Sequence, residues 1–194
     1  MTPIEQYQIL NQHLLNLIPK VTKFSAEINL RLERIERLLE LLGNPHRKYP
    51  SIHITGTNGK GSTATMTAAI LTAAGYKTGL HTSPHLQIHN ERHRIDGKLA
   101  PTSELLRLLE GMLPLIEQVG EEMPEFGKPS NFEVQFALSC CWFAEQKVDV
   151  AVIEVGLGGT LDSTNVIPAR VSVVTSVGFD HTAILGNTLA EIAD

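Results

Sequence analysis

Cysteine is almost absent from this 194-residue chain: Cys140 and Cys141 are its only two, and they are sequence neighbours. Adjacent cysteines exclude a disulfide framework, and with no second pair to complete a metal site they read as small buried apolar residues. Positive charge is also short, with 16 Lys and Arg against 21 Asp and Glu, a net charge of −5. That balance argues against a general nucleic-acid or anionic-membrane surface and leaves room for a local basic pocket that takes a small anion. No apolar run approaches the roughly 18 to 20 residues that a membrane helix needs, and Met1 to Pro19 lacks the basic-then-apolar layout of a secretory signal, so a cytoplasmic protein is expected. Aromatics make up only 5% of the chain, yet 42% of it is hydrophobic and 19% charged, which suits an ordinary globular domain whose core is aliphatic.

The richest local pattern is Gly56-Thr57-Asn58-Gly59-Lys60-Gly61-Ser62, set between an apolar strand (Ser51 to Thr55) and a helix-like run (Ser62 to Ala74). Glycines let successive backbone N–H groups converge on a polyphosphate, and the helix N-terminus adds positive potential. Lys60 supplies a mobile charge, and the Ser62 hydroxyl suits magnesium. The spacing departs from the common G-x-x-x-x-G-K-[ST] form, because Gly56 and Gly59 are close together and Gly61 stands between Lys60 and Ser62. The plain alternative is a tight strand-to-helix turn with an incidental lysine.

Further elements follow the same rhythm. Glu27 to Leu42 places Ile28, Leu32, Ile35, Leu39 and Leu42 on one face, with Arg31, Glu33, Arg34, Glu36 and Arg37 on a face read as solvated, and Gly43-Asn44-Pro45 stops the helix. Tyr76 to Thr82 reads as a second buried strand, Arg92 to Ile95 as part of a short strand pair turning at Asp96-Gly97, and Ser103 to Val119 as a helix interrupted or kinked at Pro114. Gly120 to Ser130 is expected to be an exposed loop, Asn131 a helix cap, and Phe132, Phe136, Cys140, Phe143 and Lys147 one face of that helix. Asp149 to Val155 is a continuous apolar run suited to a central parallel strand, and Val171 to Val177 another. Strands alternating with helices predict an α/β fold: one P-loop-type, doubly wound, mostly parallel sheet with helices on both faces.

In such sheets ligands gather beyond the carboxyl ends of the strands, which selects the cradle, Thr82-Ser83-Pro84-His85, Glu154 with Gly156 to Asn165, and Gly178 to His181. Glu154 ends an apolar strand where an acidic side chain reaches magnesium; the alternative is a salt-bridged strand-end carboxylate. His181, with Asp180 to orient it, is placed to ligate a second cation. His81, His85 and His89 share a spacing of four that would suit zinc on a helix, but Pro84 argues for a polar substrate loop there. His53 reads as a hydrogen-bonded core or sheet-edge histidine.

These motifs, in this order, resemble the folylpolyglutamate synthase and dihydrofolate synthase family of the muramyl-peptide-ligase-type ATP-dependent amide synthetases. The resemblance runs from Asn29 onward, through Leu32-Glu33-Arg34-Ile35, the cradle, Thr82-Ser83-Pro84-His85-Leu86 with Glu91-Arg92, Glu154-Val155-Gly156-Leu157-Gly158-Gly159, Leu161-Asp162-Ser163-Thr164-Asn165, and Asp180-His181 with Leu185-Gly186. It implies that ATP phosphorylates a folate or dihydropteroate carboxylate and that the amino group of L-glutamate attacks the acyl phosphate. Lys60 would neutralise the transferring phosphoryl group, Ser62 and Glu154 hold one Mg2+ and His181 a second. Thr82, Ser83, Pro84, His85, Glu91 and Arg92 would border the pterin and carboxylate. Family members often carry Arg where this chain has Thr160, which leaves Asp162 and Asn165 as contacts on that loop. The family's lysine motif for the second magnesium and its C-terminal glutamate-binding domain would follow Asp194, so residues 1–194 are expected to be the N-terminal ATP-binding part of a longer protein, with that domain as its intramolecular partner. A nucleotide-binding regulatory or assembly module and a muramyl-peptide ligase are the rival readings.

Overall fold

A computed structural model describes residues 1–18 and 31–193. Its frame is one six-stranded sheet in the order β4-β3-β2-β5-β1-β6. Strands β1 (Ser51–Thr55), β2 (Thr78–His81), β5 (Val150–Glu154) and β6 (Val171–Val174) run parallel, while β3 (His93–Ile95) and β4 (Lys98–Leu99) add an antiparallel hairpin to β2. The β5 strand is buried along its whole length, as its unbroken apolar run requires. Strand β6 ends at Val174 rather than Val177, and Val171 and Val174 remain exposed on it.

Alternation along the strands divides the core. Ile54, Leu80 and Val152 point to one face and pack with Ala64 and Ala68 of helix α3 (Lys60–Ala73). Ala151 and Ile153 point to the other, where α1 (Pro3–Asn16), α2 (Glu33–Leu41), α4 (Thr102–Glu122) and α5 (Asn131–Glu145) build the larger core. Helices thus cover both faces, the doubly wound α/β arrangement expected. Two short helices, α6 (Thr182–Leu185) and α7 (Leu189–Ala193), follow the sheet. Among the described residues no helix is long and apolar enough to cross a membrane.

Several expectations need correction. Helix α2 covers Glu33–Leu41 of the stretch read as helical, and the part of that stretch from Glu27 to Leu30, with Ile28, lies outside the described residues. Its charged face is not simply solvated, since Arg34 is buried. Helix α4 continues unbroken through Pro114 to Glu122, taking the start of the segment read as an exposed loop. The cap of α5 is Ser130, whose hydroxyl accepts from Glu133 N while the Glu133 carboxylate accepts from Ser130 N at 2.7 Å. Asn131 is the first helical residue, and its Nδ2 donates to Leu14 O at 2.7 Å. Helix α5 has no solvent face from Glu133 to Phe143, because it is sandwiched between the sheet and the α1, α2 and α4 layer. Helix α1 has no counterpart in the sequence reading, although Thr2-Pro3-Ile4-Glu5 is a capping box with proline at the first helical position.

Candidate functional site

At the end of β1 the chain turns through Gly56, φ 131°, into the cradle and enters α3 from Gly59, φ 81°. A side chain at Gly56 would begin 2.9 Å from Ser176 N, so glycine is required both for the turn and for this approach. Lys60 opens α3 and folds back over the turn, its Nζ donating to Gly56 O at 2.7 Å and Thr57 O at 3.2 Å. The segment after β6 clasps the cradle: Thr57 N donates to Ser176 O at 2.8 Å, Thr175 Oγ1 to Asn58 O at 2.7 Å, and Gly178 N to Thr57 Oγ1 at 2.9 Å. This clasp was missed in the sequence because the strand was read through Val177.

A cavity of about 370 Å3 opens here, lined by Gly56, Thr57 and Lys60, by residues 156–161, and by Asp180 and His181. The segments that follow β1, β5 and β6 therefore meet at one site, as the rule for parallel sheets predicts. His181 is exposed at φ 48°, its backbone N–H donating to Asp180 Oδ1 at 2.8 Å and its Nε2 lying 3.8 Å from Asp180 Oδ2. Ser62 and Glu154 do not line this cavity.

Glu154 belongs to a neighbouring arrangement. Its carboxylate is buried, Oε2 accepts from Ser83 N at 2.9 Å, and Oε1 sits 3.2 Å from where a Gly61 side chain would begin. The glycine between Lys60 and Ser62 thus makes room for a carboxylate beside the first turn of α3. Burial raises the Glu154 pKa from its ordinary value, opposed by the Ser83 N–H, Lys60 and Arg92. Ser62 is exposed on that first turn. The Glu154 carboxylate and the Ser62 hydroxyl are hard oxygen donors, the ligand chemistry that suits a magnesium ion.

The loop after β2 begins with a cis Ser83–Pro84 bond and returns through a short 310 turn, His89–Arg92. Thr82 N donates to Arg92 O at 3.3 Å, and Arg92 Nε donates to His85 Nδ1 at 2.9 Å. Glu91 spends its carboxylate on the loop itself, accepting from Leu86, Gln87 and Ile88 N at 2.9, 2.8 and 2.9 Å; these bonds push its pKa down to about 2. His81 is fully buried, with Nδ1 2.7 Å from Ser139 Oγ, while the rings of His85 and His89 lie 4.4 Å from one another. Among the described residues no group of His, Cys, Asp and Glu is arranged to hold a metal by itself.

Asp162 works on the glycine loop beyond β5. Its Oδ2 accepts from Gly156 and Leu157 N at 3.1 and 2.8 Å, and its Oδ1 from Thr164 N at 2.9 Å. Asn165 Nδ2 donates to Thr160 O at 2.9 Å.

Residues 54–194 match the family model of the Mur ligase middle domain. The chain belongs to this family. It is similar to the dihydrofolate synthase/folylpolyglutamate synthase of Mycobacterium tuberculosis, with 47% identity over 173 residues that make up 87% of this chain and 36% of that protein. Among solved structures, the middle-domain fold seen here is similar to Mycobacterium tuberculosis folylpolyglutamate synthase complexed with ADP, with a TM-score of 0.87 and 40% identity over 98% of this chain and 41% of that one. It is also similar to an FPGS–AMPPCP–folate complex, with a TM-score of 0.81 and 37% identity over 99% of this chain and 44% of that one. The chain therefore spans well under half the length of these relatives.

Proposed function

We propose that this chain is the ATP-binding part of a cytoplasmic ligase that joins L-glutamate to a folate or dihydropteroate carboxylate through an acyl phosphate. The observation that carries the reading is Lys60, its ammonium held over the carbonyls of Gly56 and Thr57 at the mouth of α3, beside a buried carboxylate at the end of β5. A carboxylate becomes a good acylating agent only when its oxygen is made a leaving group, and a phosphate cradle supplies that chemistry. Residues Gly56 to Ser62 hold the ATP phosphates. Lys60 moves from its two carbonyls to the transferring phosphoryl group, which passes to the substrate carboxylate and leaves ADP. Ser62 and Glu154 hold one Mg2+ and His181 a second, which together neutralise phosphate charge.

Thr82, Ser83, Pro84, His85 and Arg92 border the folate substrate, Glu91 holding their loop in shape, while Asp162 and Asn165 shape the loop that faces the phosphates. The relatives named for ADP, AMPPCP and folate support this assignment. Because this stretch spans 36% of the length of its Mycobacterium tuberculosis relative, ligation is assigned to the full-length protein and nucleotide binding to this stretch. Acyl transfer needs the amine held within reach of the activated carbonyl and water kept out.

Calorimetry with MgADP or MgATP tests the first assignment, and glutamate addition to dihydropteroate and to tetrahydrofolate tests the second. The 194-residue polypeptide is expected to bind nucleotide and to show no turnover. Failure to bind nucleotide overturns the reading; turnover by the 194 residues alone overturns the division of labour.

A further inference from the structure

His53 lies within β1, buried, two residues before Thr55. Strand alternation turns both away from α3, because the intervening Ile54 packs in the α3 core. Both side chains reach the loop beyond β5. Thr55 Oγ1 donates directly to Gly158 O. His53 reaches it through a buried relay: its Nε2 lies 2.8 Å from Thr164 Oγ1, Thr164 Oγ1 donates to Asp162 Oδ1 at 2.5 Å, and Asp162 Oδ2 accepts from Gly156 and Leu157 N.

Counting protons assigns each direction. The Asp162 carboxylate accepts at both oxygens, so the single hydroxyl proton of Thr164 goes to it. The Thr164 oxygen is then left to accept, and His53 must donate from Nε2. This selects the Nε2–H tautomer, with Nδ1 the acceptor of the neutral ring. Thr164 is fully buried and Asp162 nearly so, so no water replaces a lost partner without rearrangement.

We propose that His53 is a positioning residue for the nucleotide: through Thr164 and Asp162 it fixes Gly156 and Leu157, which line the cavity with Lys60. The proposal rests on the nucleotide assignment above and extends it to a residue that touches no ligand. Its logic is that one strand, β1, holds the cradle at its end and the facing glycine loop through two alternate side chains, so the two walls of the cavity share a single rigid support.

The test compares His53→Leu with His53→Gln in the 194-residue chain, because a glutamine amide nitrogen can stand where Nε2 does and still donate. Three signals are read: the ring-nitrogen shifts of His53 in the wild type, hydrogen exchange at the Gly156 and Leu157 amides, and ADP affinity. The wild type should show the Nε2–H tautomer. His53→Leu should weaken ADP binding about 3- to 10-fold, the worth of one net hydrogen bond. It should also speed exchange at Gly156 and Leu157 while Val152 stays protected. His53→Gln should restore both to near the wild-type values. An Nδ1–H tautomer, or Leu and Gln variants that behave alike, overturns the relay. Absence of ADP binding by the wild type overturns the functional reading and the nucleotide part of this proposal, and the ring and amide signals then still decide whether His53 holds the loop.

Discussion

Arg34 and Glu133, 99 residues apart, form a buried ion pair that joins α2 to the first turn of α5, with Arg34 Nη2 3.0 Å from Glu133 Oε2. Arg34 Nη1 also donates to Phe126 O at 2.7 Å, which ties down the loop between α4 and α5. The Glu133 carboxylate serves at the same time in the α5 capping box, so one residue starts a helix and anchors its neighbour.

Breaking this pair from one side leaves a charge in the core. Arg34→Met is expected to cost about 3 to 5 kcal/mol, the usual scale for an orphaned buried ion. Removing both charges in Arg34→Met with Glu133→Leu should cost less than either single change, and denaturant unfolding of the three variants checks it. A double variant as unstable as the sum of the singles would show that the two residues act independently.

Lys60→Ala removes the cationic side chain of the cradle. Its hydrogen bonds go to two carbonyls of the turn, so folding should change little, while nucleotide affinity should fall roughly 10- to 100-fold, about 1.4 to 2.8 kcal/mol. Calorimetry on a folded variant reads this directly. Unchanged affinity would return Gly56 to Ser62 to an ordinary strand-to-helix turn.

Glu154→Gln separates a ligand from a structural carboxylate. Burial holds the Glu154 pKa high, so its charged form gains nothing from the fold at neutral pH, and the variant should melt at or slightly above the wild-type temperature. What it should lose is the magnesium dependence of nucleotide binding. Melting curves with ADP, taken with and without magnesium, distinguish the outcomes; an undiminished magnesium effect would remove Glu154 from the metal site.

Acid should destabilise the chain well above the ordinary carboxylate range. Burial pushes the His46 and His89 pKa values down to about 4 and that of His81 to about 3, and lowers those of His53 and His93 as well. Each is neutral in the folded state while the unfolded chain takes up protons near pH 6.5, so stability is lost as pH falls from about 6.5 towards about 4. Glu133 and Glu154, raised by burial, act in the opposite sense because the folded state protonates first. The depressed carboxyls of Glu91 and Glu122, both at about 2, add their loss only below about pH 4.5. Tm should drop by roughly 5 °C or more between pH 7 and pH 5, and less in His46→Gln. A flat profile over that window would show that these imidazoles find protonated partners in the fold.

The glycine cradle, the apolar run of β5, the Asp96-Gly97 hairpin and the loops beyond the strands were legible because each is a local pattern. Glycine spacing and turn residues act within a few positions of one another, so residue order alone determined the α/β fold, although β6 ends three residues before the apolar run does. Tertiary structure decided the partners. Arg34 sits among charges that read as a solvated face until α5 places Glu133 against it. Helix α5 looks amphipathic until the sheet on one side and the α1, α2 and α4 layer on the other bury it from Glu133 to Phe143. His53 is an ordinary strand histidine until Thr164, 111 residues on, meets its Nε2. In each case the energy of a polar group depends on what packs against it across the chain, and no periodicity records that.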